Sequence, residues 1–227
     1  MNPIAGISSM ATRGVLGELA AAWQQCTGHA VHIEPVGGVD AARRVAAGEV
    51  FDVVLLASDA IDKLIAAGHL QPGRVDLVRS PVAAAVRAGA PRPDIASESA
   101  LRQAVLGART LAYSTGPSGS HMLALLERWG IGDTVKPRIV QAPPGVPVGR
   151  LVAQGEVELG FQQLSELLPL QGITVLGTLP AGADFITTFS AGLPPAAREP
   201  ARVRELLGFM NSPEAAAVKR RHGMEPA

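Results

Sequence analysis

The sequence contains little cysteine, few aromatic residues and no excess charge, and each shortage removes a class of protein. Cys26 is the single cysteine in 227 residues, which excludes an intrachain disulfide and a zinc site built from several cysteines. Aromatic residues make up only 4%, so the core must be built from Ala, Val and Leu. The 20 basic and 20 acidic residues cancel, which leaves no net field to attract nucleic acid or an anionic membrane. Any recognition of an anion must therefore be local.

Long apolar runs are also absent. No stretch approaches the length of a membrane-spanning helix, so we predict no direct insertion into a membrane. The chain starts Met1-Asn2-Pro3-Ile4, without the basic and apolar segments of a secretory signal. We therefore expect the protein to be periplasmic if a signal peptide has been removed, and otherwise cytoplasmic. The histidines lack metal-ligand spacing, and the sequence predicts neither a metal nor another cofactor.

The first third of the chain alternates between short apolar runs and segments with helical periodicity. We predict strands over 4–7, 31–34 and 51–56, each followed by a helix. The run Phe51-Asp52-Val53-Val54-Leu55-Leu56 is typical of a strand that is buried on both faces. This order predicts a parallel sheet with helices on both sides, in which ligands collect at the carboxyl ends of the strands.

A second α/β unit follows and mirrors the first. Its centre is the predicted strand 111–113, a turn of small and polar residues, and a helix that starts near His121. Two strand-like runs around Ser80-Pro81 and one over 185–190 predict two crossings between lobes. The sequence thus predicts an α/β fold of two lobes with a ligand cleft between them. Lobe I takes residues 1–82 with 188–227, and lobe II takes residues 83–187.

Serine residues follow the predicted strands of lobe I. Ser8, Ser9 and Ser58 lie at strand ends, where a hydroxyl can either cap a helix or bind a ligand. Arg13, near the start of the first helix, could reach a carboxylate or remain on a solvated face. Three such serines in one lobe favour convergence on an anion.

Lobe II contains the densest polar group of the sequence. The segment Ser118-Gly119-Ser120-His121 stands at a helix start, where unpaired N–H groups and the helix dipole favour an anion. The alternative is a flexible Gly/Ser loop. His121 could donate to a ligand, transfer a proton or be an ordinary surface residue. Gln162 and Gln163 follow a predicted strand and suit a small polar ligand, with one side chain pointing inward and the other away.

Common catalytic motifs are missing from the chain. There is no GxSxG elbow, no GxxxxGK[ST] phosphate loop and no GxGxxG after a strand. The segment Gly116-Pro117-Ser118-Gly119-Ser120 is similar to the elbow but lacks its spacing. These absences favour a binding protein over an enzyme.

Several blocks, in their order, resemble the molybdate-binding-protein-like branch of ABC-transporter solute-binding proteins. They are SSMATRGVLGELAAAW, FDVVLLASDAIDKLIAAGHL, VDLVRSPVAAAVRAGAPRPDI, LAYSTGPSGSHMLALLERWGI, VAQGEVELGFQQLSELLPL and FMNSPEAAAVKRRHGMEP. The resemblance implies a type 2 periplasmic-binding fold, a small anion held without metal, a transporter permease as partner and a monomeric chain. It further implies ligand contacts from Ser8, Ser9, Ser58, Ser118, Gly119, Ser120, His121, Val146 with its loop, and Gln162.

The resemblance has one departure and one extension. Molybdate binders of this type usually place a tyrosine after the strand that here ends Phe161-Gln162-Gln163, and this chain has none there. Together with Arg13 and His121, the change favours a small di- or tricarboxylate over molybdate. The scaffold also resembles aconitate isomerase. That alternative would make the protein an isomerase of an unsaturated tricarboxylate, with His121 and Ser120 as catalytic residues.

Overall fold

The computed structural model describes residues 2–227, which fall into two compact α/β units. Unit 1 holds the chain up to Ser80 together with Thr188–Ala227, and unit 2 holds Pro81–Thr187. The strands are β1 (Ile4–Ser9), β2 (Val31–Val36), β3 (Val53–Ala57), β4 (Val75–Arg87), β5 (Leu111–Tyr113), β6 (Ile139–Gln141), β7 (Leu159–Gln163), β8 (Ile173–Thr178), β9 (Ile186–Gly192) and β10 (Glu225–Pro226). The helices are α1 (Arg13–Thr27), α2 (Gly38–Ala46), α3 (Ser58–Ala66), α4 (Glu98–Gly107), α5 (Pro117–Arg128), α6 (Gly132–Val135), α7 (Val148–Gln154), α8 (Leu164–Leu167), α9 (Pro200–Met210) and α10 (Ala215–Arg221).

Unit 1 is built on a sheet with the strand order β2-β1-β3-β9. β1 pairs in parallel with both β2 and β3, whereas β9 runs antiparallel to β3. Residues of β3 alternate between two clusters. Val53 and Leu55 pack in the cluster that contains α1 and α9, and Val54 and Leu56 pack in the cluster of α2 and α3. Helices therefore cover both faces, which is why the strand is apolar throughout.

Unit 2 repeats this design with the order β4-β7-β5-β6. β5 pairs in parallel with β6 and β7, and β4 is antiparallel to β7 and β8. Leu111 belongs to the cluster that also contains Met122 and Leu125 of α5, whereas the next residue, Ala112, belongs to the cluster of α7. The sheet is again covered on both sides, and the predicted α/β class is confirmed.

Three details differ from the sequence-based expectations. β4 is one strand of 13 residues, not two runs broken at Pro81. Pro81 lies between the part of β4 that pairs with β10 and the part that pairs with β7, so its missing N–H removes no bond from either ladder. α5 begins at Pro117 instead of near His121, because proline is well suited to the first position of a helix. β7 includes Gln162 and Gln163, which were expected after the strand.

A charged network fixes the first strand of unit 1. Asp52 is 1% exposed and accepts hydrogen bonds from the backbone N–H of Ala5 and from both the backbone and the guanidinium of Arg198. Burial alone would raise the pKa of Asp52, but the Arg198 side chain and the two backbone N–H donors hold that pKa below its ordinary value. Within residues 2–227, none of the helices is both long and apolar enough to span a membrane.

Candidate ligand-binding site

The polar turns of unit 1 lie at the carboxyl ends of three neighbouring parallel strands. In the register of the sheet, Ser9 is opposite Val36 of β2, and Ser8 is opposite Leu55 of β3. The segments that leave these strands are Gly37–Gly38 and Ser58, so all of them start from one edge. This edge is where open parallel sheets bind ligands.

Ser8 and Ser9 play different parts at this edge. Ser8 is fully buried, and its hydroxyl has no hydrogen-bond partner among the described residues. Ser9 caps a short 3-10 turn over Met10–Thr12 by accepting a weak bond of 3.4 Å from the N–H of Ala11. Ser9 is therefore a cap, one of the two roles considered for these serines, whereas Ser8 is a buried hydroxyl that lacks a partner, a costly state in an apoprotein. Binding of a ligand by either serine stays a prediction.

Ser58 and Arg13 complete the residues that the sequence predicts for unit 1. Ser58 is the first residue of α3 and is partly exposed. Arg13 is the first residue of α1, and its side chain is exposed. The structure therefore places the hydroxyl of Ser58 at the same sheet edge as Ser8 and leaves Arg13 in solvent.

Sequence reasoning missed the start of α2 as part of this edge. Gly37 is the N-cap residue of α2 and supplies no side-chain hydrogen bond to the first turn. A Cβ atom added at Gly38 would lie 3.8 Å from the hydroxyl oxygen of Ser9, so the helix begins close to that serine. The pair Gly37-Gly38 before a helical segment was the available signal, because small residues let a ligand approach backbone N–H groups.

In unit 2 the turn between β5 and α5 is closely packed. The hydroxyl oxygens of Ser114 and Ser118 lie 2.9 Å apart, and Ser114 also accepts a bond from the N–H of Gly116. Gly119 is buried against the same turn, since a Cβ there would come within 1.8 Å of the Ser114 carbonyl oxygen. Ser120 is exposed. The flexible-loop alternative is therefore wrong for this segment, whose first residues are helical and internally bonded.

His121 is held in one orientation by two contacts. Its ring stacks on Phe185 with the centroids 4.4 Å apart, and its Nε2 atom lies 2.9 Å from the carbonyl oxygen of Ala183. A carbonyl can only accept, so Nε2 carries the proton in this contact. Nδ1 is consequently the nitrogen of the neutral ring that can accept a proton.

Val146 and Gln162 both lie near the start of α7. The N–H of Val146 donates to the carbonyl of Pro143, so this loop is closed by its own backbone. Gln162 is 2% exposed; its Oε1 accepts the N–H of Val148 at 2.8 Å, and its Nε2 donates to Glu166 at 2.9 Å. Burial raises the pKa of Glu166 to about 7, against the opposing effect of that hydrogen bond. Sequence reasoning did not select Glu166, although its spacing of four residues from Gln162 was visible.

Gln163 is the other amide of the pair, and it is equally buried. Its Nε2 donates to the hydroxyl of Thr187 at 2.7 Å, while its Oε1 has no partner among the described residues. As consecutive residues of β7, the two glutamines point to opposite faces of the sheet and bond different neighbours, although both are buried in unit 2. Which of the two points toward a ligand stays a prediction.

Outside the two sheet edges, the described residues provide weaker candidates for a binding site. Within residues 2–227 there is no group of three or more His, Cys, Asp or Glu side chains that could hold a metal ion. A pocket of about 250 Å³ lies in unit 1 beside Arg204, Leu207 and Asn211. No residue that the sequence predicts for the site lines this pocket, and the Asn211 side chain is already bonded to Asp76 and Lys219. We therefore keep the candidate site at the two sheet edges.

Comparison with known proteins gives a consistent family and fold. Residues 4–225 match the family of bacterial extracellular solute-binding proteins. A Pseudomonas aconitate isomerase is 36% identical over 236 residues, which cover 99% of this chain and 89% of that protein. The periplasmic molybdate-binding protein of Azotobacter vinelandii has a TM-score of 0.80 at 23% identity, with 97% and 98% of the two chains covered. A tungstate-binding protein of Desulfovibrio alaskensis has a TM-score of 0.72 at 14% identity, with 100% and 99% covered.

These likenesses bear on two of the sequence-based predictions. The structural neighbours are periplasmic binding proteins, and the predicted type 2 periplasmic-binding fold is confirmed. The predicted resemblance to molybdate-binding-like proteins, and to aconitate isomerase, is confirmed as well. The assignment of individual ligand contacts, and of one ligand to both lobes, stays a prediction.

Proposed function

The chain belongs to the family of bacterial extracellular solute-binding proteins, and on this premise we propose that it captures a small di- or tricarboxylate for an ABC-type transporter. The observation that supports this most is the arrangement of each unit. In both, three neighbouring parallel strands end in turns that carry hydroxyl, amide or backbone N–H donors. Such donors bind an anion without a metal ion.

The preference for a carboxylate over an oxyanion has two supports. The tyrosine that usual molybdate sites place after this strand is absent here, where the strand ends in the buried amides of Gln162 and Gln163, and a 36% identical relative is an aconitate isomerase. The proposal includes the buried Ser8 hydroxyl, whose missing partner would be supplied by the anion. By family membership we also propose a periplasmic location and a membrane permease as the partner that receives the ligand.

A ligand screen tests the proposal. The panel for thermal shift and titration calorimetry is citrate, cis-aconitate, trans-aconitate, molybdate and tungstate. The carboxylates should raise the melting temperature in a concentration-dependent way, because a ligand that binds only the folded state stabilises it by mass action. Binding of molybdate and tungstate alone would contradict the carboxylate preference. No binding across the panel would contradict the proposed function.

Variants locate the site within each unit. Ser8→Ala in unit 1 and Ser120→Ala in unit 2 should each weaken binding of the same carboxylate, if one ligand contacts both units. The matched control is Ser99→Ala, an exposed serine on α4 outside both edges. Unchanged affinity in both site variants would show that the candidate residues are wrong.

A second function is favoured by the geometry of His121. The Ala183 carbonyl and the Phe185 ring fix the imidazole and leave Nδ1 as the proton acceptor, which is the arrangement required of a general base. A base at this position could remove a C–H proton next to a carboxylate, as isomerisation of an unsaturated tricarboxylate requires. The 36% identity to an aconitate isomerase supports this alternative.

NMR separates the two functions. We would follow the interconversion of cis- and trans-aconitate by the wild type, by His121→Ala and by His32→Ala, whose histidine is exposed on β2. An isomerase should lose turnover in His121→Ala and keep it in His32→Ala. Absence of turnover in the wild type, or turnover that survives in His121→Ala, would exclude this role.

A further inference from the structure

Unit 2 contains a hydrogen-bonded chain that ends in a carboxyl group. The N–H of Val148 donates to Oε1 of Gln162 over 2.8 Å, and Nε2 of Gln162 donates to Oε1 of Glu166 over 2.9 Å. The order of donors and acceptors is forced. Val148 can only donate, so the oxygen of the amide must face it, and the nitrogen must face Glu166. The Val148 N–H thus fixes the orientation of Gln162, and Glu166 takes one of the two amide hydrogens, so that only the second hydrogen could reach a ligand.

The surroundings of Glu166 contain little charge. α8 packs mainly on β7 and α7. β7 has no charged residue, and α7 has one, Arg150, whose side chain is exposed. The residue that follows Glu166 on α8, Leu167, belongs to an apolar cluster against which Ile173 and Val175 of β8 pack. Burial is accordingly the main influence on the pKa of Glu166 and raises it to about 7, with the Gln162 hydrogen bond opposing and no charged group contributing.

We propose that Glu166 is a positioning residue for Gln162 and that the protein binds its anion together with one proton, which Glu166 holds. The inference rests on the proposed function, because it requires that Gln162 contacts the ligand. A second negative charge near that amide disfavours ionised Glu166, so the anion and the proton bind cooperatively. By linkage, protonation of Glu166 must raise the affinity for the anion by the same factor by which the bound anion raises the affinity of Glu166 for the proton.

The predicted signature is a pH profile. With trans-aconitate as the probe, the affinity of the wild type should fall by up to about tenfold per pH unit above about pH 7, because each binding event then takes up a proton. The carboxyl groups of the probe are ionised throughout this range, so they do not contribute. Calorimetry in two buffers of different ionisation enthalpy should report an uptake that approaches one proton.

Two variants make the test specific. Glu166→Gln retains an oxygen that accepts from Gln162 but cannot titrate, so its affinity should be independent of pH and its proton uptake should vanish. The control, Glu156→Gln, changes an exposed carboxylate in the segment that follows α7 and should behave as the wild type.

The possible results are distinct. Equal pH slopes in the wild type and Glu166→Gln, with binding retained, would overturn the inference and leave the proposed function intact. Failure of the wild type to bind any of citrate, cis-aconitate, trans-aconitate, molybdate and tungstate at any pH would contradict the proposed function itself, and with it the premise of the inference. Circular dichroism of each variant checks that the fold is retained.

Discussion

Replacing Gly119 by alanine should destabilise unit 2 and disrupt its candidate binding turn. A Cβ at this position would lie 1.8 Å from the backbone oxygen of Ser114 and 2.9 Å from Cδ2 of Tyr113. The first contact is about 1.5 Å shorter than an ordinary carbon–oxygen contact, and no rotamer change relieves it, because the neighbour is backbone. β5 and α5 would have to separate. We expect a loss of about 3 kcal/mol, at the upper end of the cost of overpacking.

This loss is large enough to measure by thermal or urea unfolding. For a chain of this size, it corresponds to a fall in melting temperature of about 6–12 °C. The control is Gly17→Ala, at an exposed position inside α1 where a Cβ would meet no atom within 4 Å. That change should stabilise unit 1 by about 0.5–1 kcal/mol, because alanine loses less backbone entropy in a helix. If Gly119→Ala were as stable as Gly17→Ala, the close approach of α5 to Ser114 would be refuted.

Three further predictions concern polar groups that are buried or partly buried. Asp52→Asn should cost about 2 kcal/mol at neutral pH, since it weakens the charged bonds to Arg198. Because the pKa of Asp52 is depressed in the folded state, this stabilisation should vanish as the pH falls below about 4, and acid-dependent urea unfolding should show the two proteins converging. Ser8→Ala should leave the ligand-free protein as stable as the wild type, or up to about 1 kcal/mol more stable, because the hydroxyl that it removes has no partner among the described residues. A large loss in the free energy of unfolding would contradict this. Burial raises the folded-state pKa of Glu166 to about 7. Its carboxyl should therefore destabilise the wild type, relative to Glu166→Gln, by up to about 3 kcal/mol as the pH rises from about 4.5 to 7. A wild type with the same free energy of unfolding at pH 5 and pH 8 would contradict this.

The elements that the sequence predicted well are those in which one physical signal dominates. The helix after strand 111–113 was expected and is found as α5, because its apolar residues recur at helical spacing. β3 was found within two residues, because both of its faces are covered and its apolar run is uninterrupted. Local pattern was sufficient in these cases.

The errors occurred where the environment decides the outcome. Gln162 and Gln163 were expected after the strand that became β7, yet both lie within it. Their burial depends on partners elsewhere in the chain, namely Val148, Glu166 and Thr187, which no local window contains. The elevated pKa of Glu166 has the same origin. Sequence could supply these residues as candidates, but their protonation and orientation follow from tertiary packing.

Under the proposed function, the sheet edges of the two units would contribute different chemical groups to the ligand. The edge of unit 1 offers hydroxyls and the start of α2, groups that donate to any anion and do not titrate near neutral pH. The edge of unit 2 adds the Gln162 amide, whose orientation is fixed, and places the His121 ring and the Glu166 carboxyl, whose pKa burial raises to about 7, close to its turns. Groups of fixed orientation and variable protonation discriminate between ligands of different shape and charge, whereas simple donors mainly supply affinity. Under the proposed function, selectivity for one small anion over another should therefore reside in unit 2.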